Sequence, residues 1–146
     1  MAGPAIVIIA AFATLYLAVR TEDGLVVHDY YRQGLAINAT LARDERARTL
    51  GVQATLVLSP QRVKVTLVGR IGAPTRLLLR LVHPTRVGQD HSIILTPRQA
   101  GTYAAEVRPI DPGPWQVVIE DEIVGWRLTG TLRPGLDHVE LGPRSE

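Results

Sequence analysis

The first apolar stretch runs from Ala2 to Val19, AGPAIVIIAAFATLYLAV, without one charged residue. At about 18 residues it sits near the lower limit for a helix crossing a ~30 Å hydrocarbon core. Tyr16 lies toward one end, where an interfacial aromatic is expected. A secretory signal peptide fits less well, because no Lys or Arg precedes the run. A buried globular helix would carry a polar face, and here only Thr14 and Tyr16 bear a polar group. The run 2–19 is therefore expected to be a transmembrane anchor. Polar residues follow at once, and TEDGLVVH (21–28) reads as an extended connection. From about Gln33 to Leu50 the pattern is that of a short amphipathic helix. Ile37, Leu41, Ala47 and Leu50 fall close to three-and-four spacing. Asp44 and Arg48 form an i, i+4 pair in the favourable order. Gly51 is placed to stop the helix, and Asp29 to cap an earlier start. Residues 20–51 thus read as a linker and helix between the anchor and the domain 52–146.

From Val52 the period drops to two. VQATLVL (52–58) and RVKVTLVG (62–69) flank a Ser59-Pro60-Gln61 turn. Val63, Val65 and Leu67 share one face. TRLLLRLVH (75–83) sets Leu77, Leu79, Leu81 and His83 against Arg76, Leu78, Arg80 and Val82. Further strands are expected at 91–96, ended by Pro97, and at 103–108, 114–121, 123–132 and 136–141. Seven or eight short strands, with turn signals between them and no long helix, predict a mainly β fold. The expected architecture is an immunoglobulin-like antiparallel β-sandwich. Large side chains are scarce in it, so Trp115 and Trp126 are its expected core anchors.

Composition narrows the function. Hydrophobic residues make up 46% and charged residues 21% of the 146 residues, a balance that argues against disorder. The net charge of +2 includes no five-residue basic run, so no nucleic-acid partner is expected. The absence of cysteine excludes disulfides, thiolate metal sites and cysteine nucleophiles. No GxSxG and no phosphate-binding glycine loop occurs. Asp121 and Glu122 read as turn residues rather than an acid–base pair. Of the four histidines, His83 ends one strand and His91 begins the next, with Asp90 beside it. The two histidines are a candidate weak Cu(II) or Zn(II) site, although the third ligand such sites normally need is missing. No cofactor is otherwise expected, and no enzymatic site is visible.

One segment is more specific. GLVVHDYYRQGLAIN (24–38) resembles the signature segment of the FixH (CcoH) family, and four blocks follow in that family's order. They are LVHPTRVGQD (81–90), GTY (101–103), PGPWQVVIED (112–121) and WRLTG (126–130). The resemblance implies a single-pass protein of the bacterial inner membrane with a periplasmic β-sandwich. It implies a role in assembling or stabilising the cbb3-type cytochrome oxidase of the respiratory chain, in nitrogen-fixing bacteria and others, without enzymatic activity of its own. The implied partners are the oxidase subunits and a co-encoded copper-exporting ATPase and assembly proteins. A copper-delivery domain for the same oxidase, acting through His83 and His91, is the alternative. The resemblance carries Asp29, Tyr30, Tyr31, Gly34, Ile37 and Asn38 over as a partner-binding segment. It carries His83, Pro84, Thr85 and Asp90 over as a loop site, and Trp115, Trp126 and Arg127 as structural residues. Family members usually have a longer basic lead before a fuller apolar span. The expectation is that the start lies upstream or that the anchor is marginal in this chain.

Overall fold

Strand-period patterning from Val52 onward is realised as eight antiparallel strands in a computed structural model that describes residues 3–20 and 24–144. The chain divides into two compact units, Met1–Asn38 and Ala39–Glu146.

In the first unit, α1 spans Gly3–Arg20. Val7, Ile8, Ile9, Phe12, Leu15 and Tyr16 are all exposed on it. Among the described residues no helix is long and apolar enough to cross a membrane. Parts of the expected anchor, Ala2 and the side chains of 3–6 and 17–19, lie outside them. The second helix, α2, spans Gly24–Leu50. Helix therefore replaces the extended connection expected over 24–28, while Thr21–Asp23 lie outside the described residues. Once a helix is nucleated, adding a turn costs little, and two β-branched valines are too weak a barrier to stop it. Asp29 accordingly sits inside α2 rather than capping it.

In the second unit, α2 ends as Gly51 predicts. Gly51 takes φ +63°. Its N–H donates to Arg48 O at 3.1 Å, and Val52 N–H donates to Ala47 O at 2.9 Å. This is a Schellman closure, with Ala47 and Val52 both fully buried beneath it. The face turned inward differs from the one the spacing suggested. Leu41 is 55% exposed, whereas Asp44 is 3% exposed. The expected Asp44–Arg48 pair does not form. Arg48 pairs with Glu45 and donates to Arg144 O at 2.7 Å. Asp44 turns to the sheet, because a partner there compensates its desolvation, as described below.

The strands are β1 (Gln53–Leu58), β2 (Arg62–Val68), β3 (Leu77–Val82), β4 (His91–Gln99), β5 (Thr102–Glu106), β6 (Trp115–Asp121), β7 (Trp126–Leu132) and β8 (His138–Leu141). Their order in space is β7-β6-β3-β4-β5-β2-β1-β8. The start of β4 pairs with β3, through Leu77↔Leu95 to Leu81↔His91, and its end pairs with β5 from Thr96↔Ala104. Pro97 does not end the strand. The register shifts between Pro97 and Gln99, and a bulge accommodates the missing N–H. One strand thus serves both halves of the sheet. At the far side, Thr129 and Gly142 exchange backbone hydrogen bonds of 2.9 and 3.2 Å, joining β7 to β8. The immunoglobulin-like sandwich is corrected by this: a single antiparallel sheet curls until it nearly closes on itself. Gly130 makes that approach possible. A Cβ there would lie 2.6 Å from Leu141 Cδ2 and 3.0 Å from Glu140 O.

The interior takes in the alternating positions read along β2 and β3, of which Val63, Val65 and Leu79 are fully buried, and adds Leu56, Val117, Ile119 and Leu128 from the neighbouring strands. Trp115 and Trp126, at 3% and 0% exposure, anchor it as expected.

Candidate interaction surfaces

Helical spacing sets the geometry of the segment Asp29–Asn38. Positions 30, 34 and 37 lie three and four apart and share one stripe of α2. Tyr30, Tyr31 and Ile37 are exposed to 71%, 68% and 60%. Nothing lies within 4 Å of where a Gly34 Cβ would stand. Glycine weakens a helix interior by about 1 kcal/mol relative to alanine, and no contact within the described structure requires it here. Asp29 and Asn38 are exposed as well. The segment presents a half-apolar, tyrosine-bearing helix surface.

The loop after β3 is built on His83. Its backbone N–H donates to Asp90 Oδ1 at 3.3 Å, which ties the two ends of residues 83–90 together. Its Nδ1 accepts the N–H groups of Thr85 and Arg86 at 3.2 and 3.1 Å. A ring nitrogen that accepts two N–H groups carries no proton, so the neutral ring is protonated at Nε2. Pro84 is exposed at the tip. The two histidines both pack on Trp115. The His83 and His91 ring centroids lie 5.0 and 5.5 Å from it, both edge-on. Trp115 is held in turn by its Nε1–H, which donates to Asp111 O at 3.0 Å. Among the described residues no group of three or more His, Asp and Glu side chains is placed to hold a metal ion. With Nδ1 of His83 engaged in the turn, this cluster is built for loop shape and ring packing.

A third cluster was not visible in the sequence. Arg127, on β7, lies between two carboxylates. Its Nη1 is 3.4 Å from Asp44 Oδ1 and its Nε is 3.6 Å from Glu120 Oε1. Arg43 reaches the same Glu120 oxygen at 3.5 Å. Asp44 and Glu120 are buried, so the arginines offset a desolvation cost that would otherwise expel α2 from this side of the sheet. Residues 44 and 127 are too far apart in sequence for spacing to pair them. One local signal existed: the β6–β7 hairpin sets Glu120 directly opposite Arg127. Arg127 thus faces Glu120 across the hairpin and Asp44 from α2. Beneath it the Trp126 Nε1–H is buried and has no hydrogen-bond partner among the described residues.

Asp121 is the turn residue expected. Its Oδ1 accepts from Ile123 N at 2.9 Å, and its carbonyl accepts from Gly125 N at 2.8 Å. Glu122 is exposed and forms a surface pair with Arg76. Tyr103 donates its hydroxyl to Pro74 O at 2.8 Å. Burial first, and the Asp121 charge second, push its pKa above the ordinary tyrosine value.

Compared with known proteins, the chain matches no solved structure and no curated protein. A family model, FixH, matches residues 1–133, a span that takes in the helix segment, the His83 loop and all of β6 and β7. With that match covering nearly all of its 146 residues, the chain belongs to the FixH family.

Proposed function

We propose that this protein is a membrane-anchored, non-catalytic accessory factor that supports assembly or stability of a cbb3-type haem–copper oxidase. The β domain stands in the periplasm in this reading, and the partners are oxidase subunits and co-encoded copper-ATPase and assembly proteins. The observation that carries it is the exposed Tyr30–Tyr31–Ile37 surface on α2, in the segment that resembles the family signature and lies within the matched span. Tyrosines of this kind bury much area at little entropic cost and are enriched at protein interfaces and membrane boundaries. The anchor rests on the uncharged run 2–19 and on the apolar side chains exposed between Val7 and Tyr16.

The test is a deletion strain assayed at low oxygen for membrane oxidase activity, with haem staining of the c-type subunits. Restoration by the wild-type chain, but not by Tyr30→Ala with Tyr31→Ala at equal abundance and melting temperature, is the expected result. Unchanged oxidase in the deletion strain would refute the role. Copper delivery through His83 and His91 is less well supported, because His83 Nδ1 already accepts two backbone N–H groups. Full oxidase activity after joint substitution of the two histidines is the outcome that leaves assembly standing and removes delivery.

A further inference from the structure

The end of the sheet where β1 and β7 finish and β6 begins holds a cleft of about 530 Å³. Three connections wall it, 58–60, 109–113 and 132–137. Neither the α2 segment nor the Asp44–Arg127 cluster contributes to it. Four of the chain's ten prolines, Pro60, Pro109, Pro112 and Pro134, stand in these walls. Proline fixes φ and carries no N–H, so the walls are rigid and poor in donors before anything binds. Trp115 closes one side, backed by His83 and His91 on its ring. Leu136 stands at the mouth with 49% of its surface exposed.

The charge of the cleft opposes that of the chain. The whole sequence is net positive at +2, yet Asp111 and Asp137 line the cleft against a single cation, Arg133. Asp111 is exposed, with its backbone carbonyl already engaged by Trp115. The hydrogen bond with His138 holds the Asp137 carboxyl below its ordinary range, so it stays ionised at neutral pH. A mainly apolar slot with preformed walls and an anionic rim suits one kind of occupant.

We propose that this cleft docks an extended segment of a partner protein that presents an apolar side chain to Leu136 and the proline walls and a basic residue to Asp111 and Asp137. The prolines keep the ordering cost low, and the carboxylates select against acidic segments. The lining of the cleft includes no residue of the α2 tyrosine segment.

The test is selection of phage-displayed random dodecapeptides on the full-length protein in detergent. Enriched peptides are expected to place Leu or an aromatic residue within two positions of Arg or Lys. A synthetic peptide from that set should bind at least about tenfold more weakly to Leu136→Glu and to Asp111→Asn with Asp137→Asn. Ile94→Glu, on β4 and outside the cleft, should bind as wild type does. Leu136 is half exposed, so its variant should keep the wild-type melting curve. Absence of enrichment, enrichment of acidic peptides, or equal binding by the cleft variants would each overturn the proposal. Loss of the α2 tyrosines should leave peptide binding intact, which separates this site from the oxidase contact.

Discussion

Removing Arg127 is the sharpest perturbation the structure offers. Arg127→Met keeps most of the side-chain volume and deletes the charge. Asp44, 3% exposed, then loses the guanidinium that faces it, and Glu120 keeps only Arg43. Breaking a buried ion pair from one side costs about 3–5 kcal/mol, because the remaining charge stays desolvated. The separations of 3.4 and 3.6 Å are long for charge-assisted bonds, and Arg127 retains 19% of its side-chain exposure. The lower end, about 3 kcal/mol, is therefore expected. For a domain of this size each kcal/mol lowers Tm by roughly 4–8 °C, so a fall of more than about 10 °C should appear. Thermal unfolding followed by tryptophan fluorescence reads this directly, since Trp126 adjoins the site. Adding Asp44→Leu to Arg127→Met should restore much of the loss, because the stranded charge is then gone. A single variant melting within about 2 °C of wild type would show that the cluster is solvated and does not hold α2 to the sheet. Failure of the double variant to recover would place the cost in packing rather than in charge.

Three further outcomes follow from the same geometry. Trp126→Phe should cost no more than about 1 kcal/mol by denaturant unfolding, since the lost ring volume is offset by removing a buried, unpaired N–H; Trp126→Ala should cost about 3–5 kcal/mol. Gly130→Ala should destabilise by about 1–3 kcal/mol in the same assay, because its methyl group would enter contact with Leu141 and the β8 backbone. Tyr103 has its pKa raised on folding, so its contribution is complete below the ordinary tyrosine value of 10.0 and is lost as pH rises through the folded value. Ultraviolet titration should find one late-ionising tyrosine that disappears in Tyr103→Phe; identical titration curves would refute its burial.

Much of the β domain was legible because strand formation is local. Alternation along β2 and β3 names the buried side chains without knowledge of any neighbour, and the structure buries those residues. The turn at Pro60 and the helix stop at Gly51 were equally local. The glycine inside WRLTGTL was a signal left unread: a strand glycine often marks the close approach of another backbone. The tyrosine segment was visible as a motif, and the structure adds that its side chains are exposed and that Gly34 has open space around it.

What the sequence determined by itself depends on a few neighbouring residues: the strand periods, the turn at Pro60, the helix end, the two tryptophan anchors and the family signature. Tertiary structure decided the rest, because it depends on residues far apart in the chain meeting in space. Pro97 bends β4 instead of ending it because both halves of the sheet need that strand. Asp44 turns inward because Arg127, 83 residues away, is there to meet it. The eight strands curl toward closure because β8 returns to β7 at Gly130, where the missing side chain leaves room. Local patterning fixes which side chains face inward, but long-range charge pairing and steric fit choose which surfaces meet.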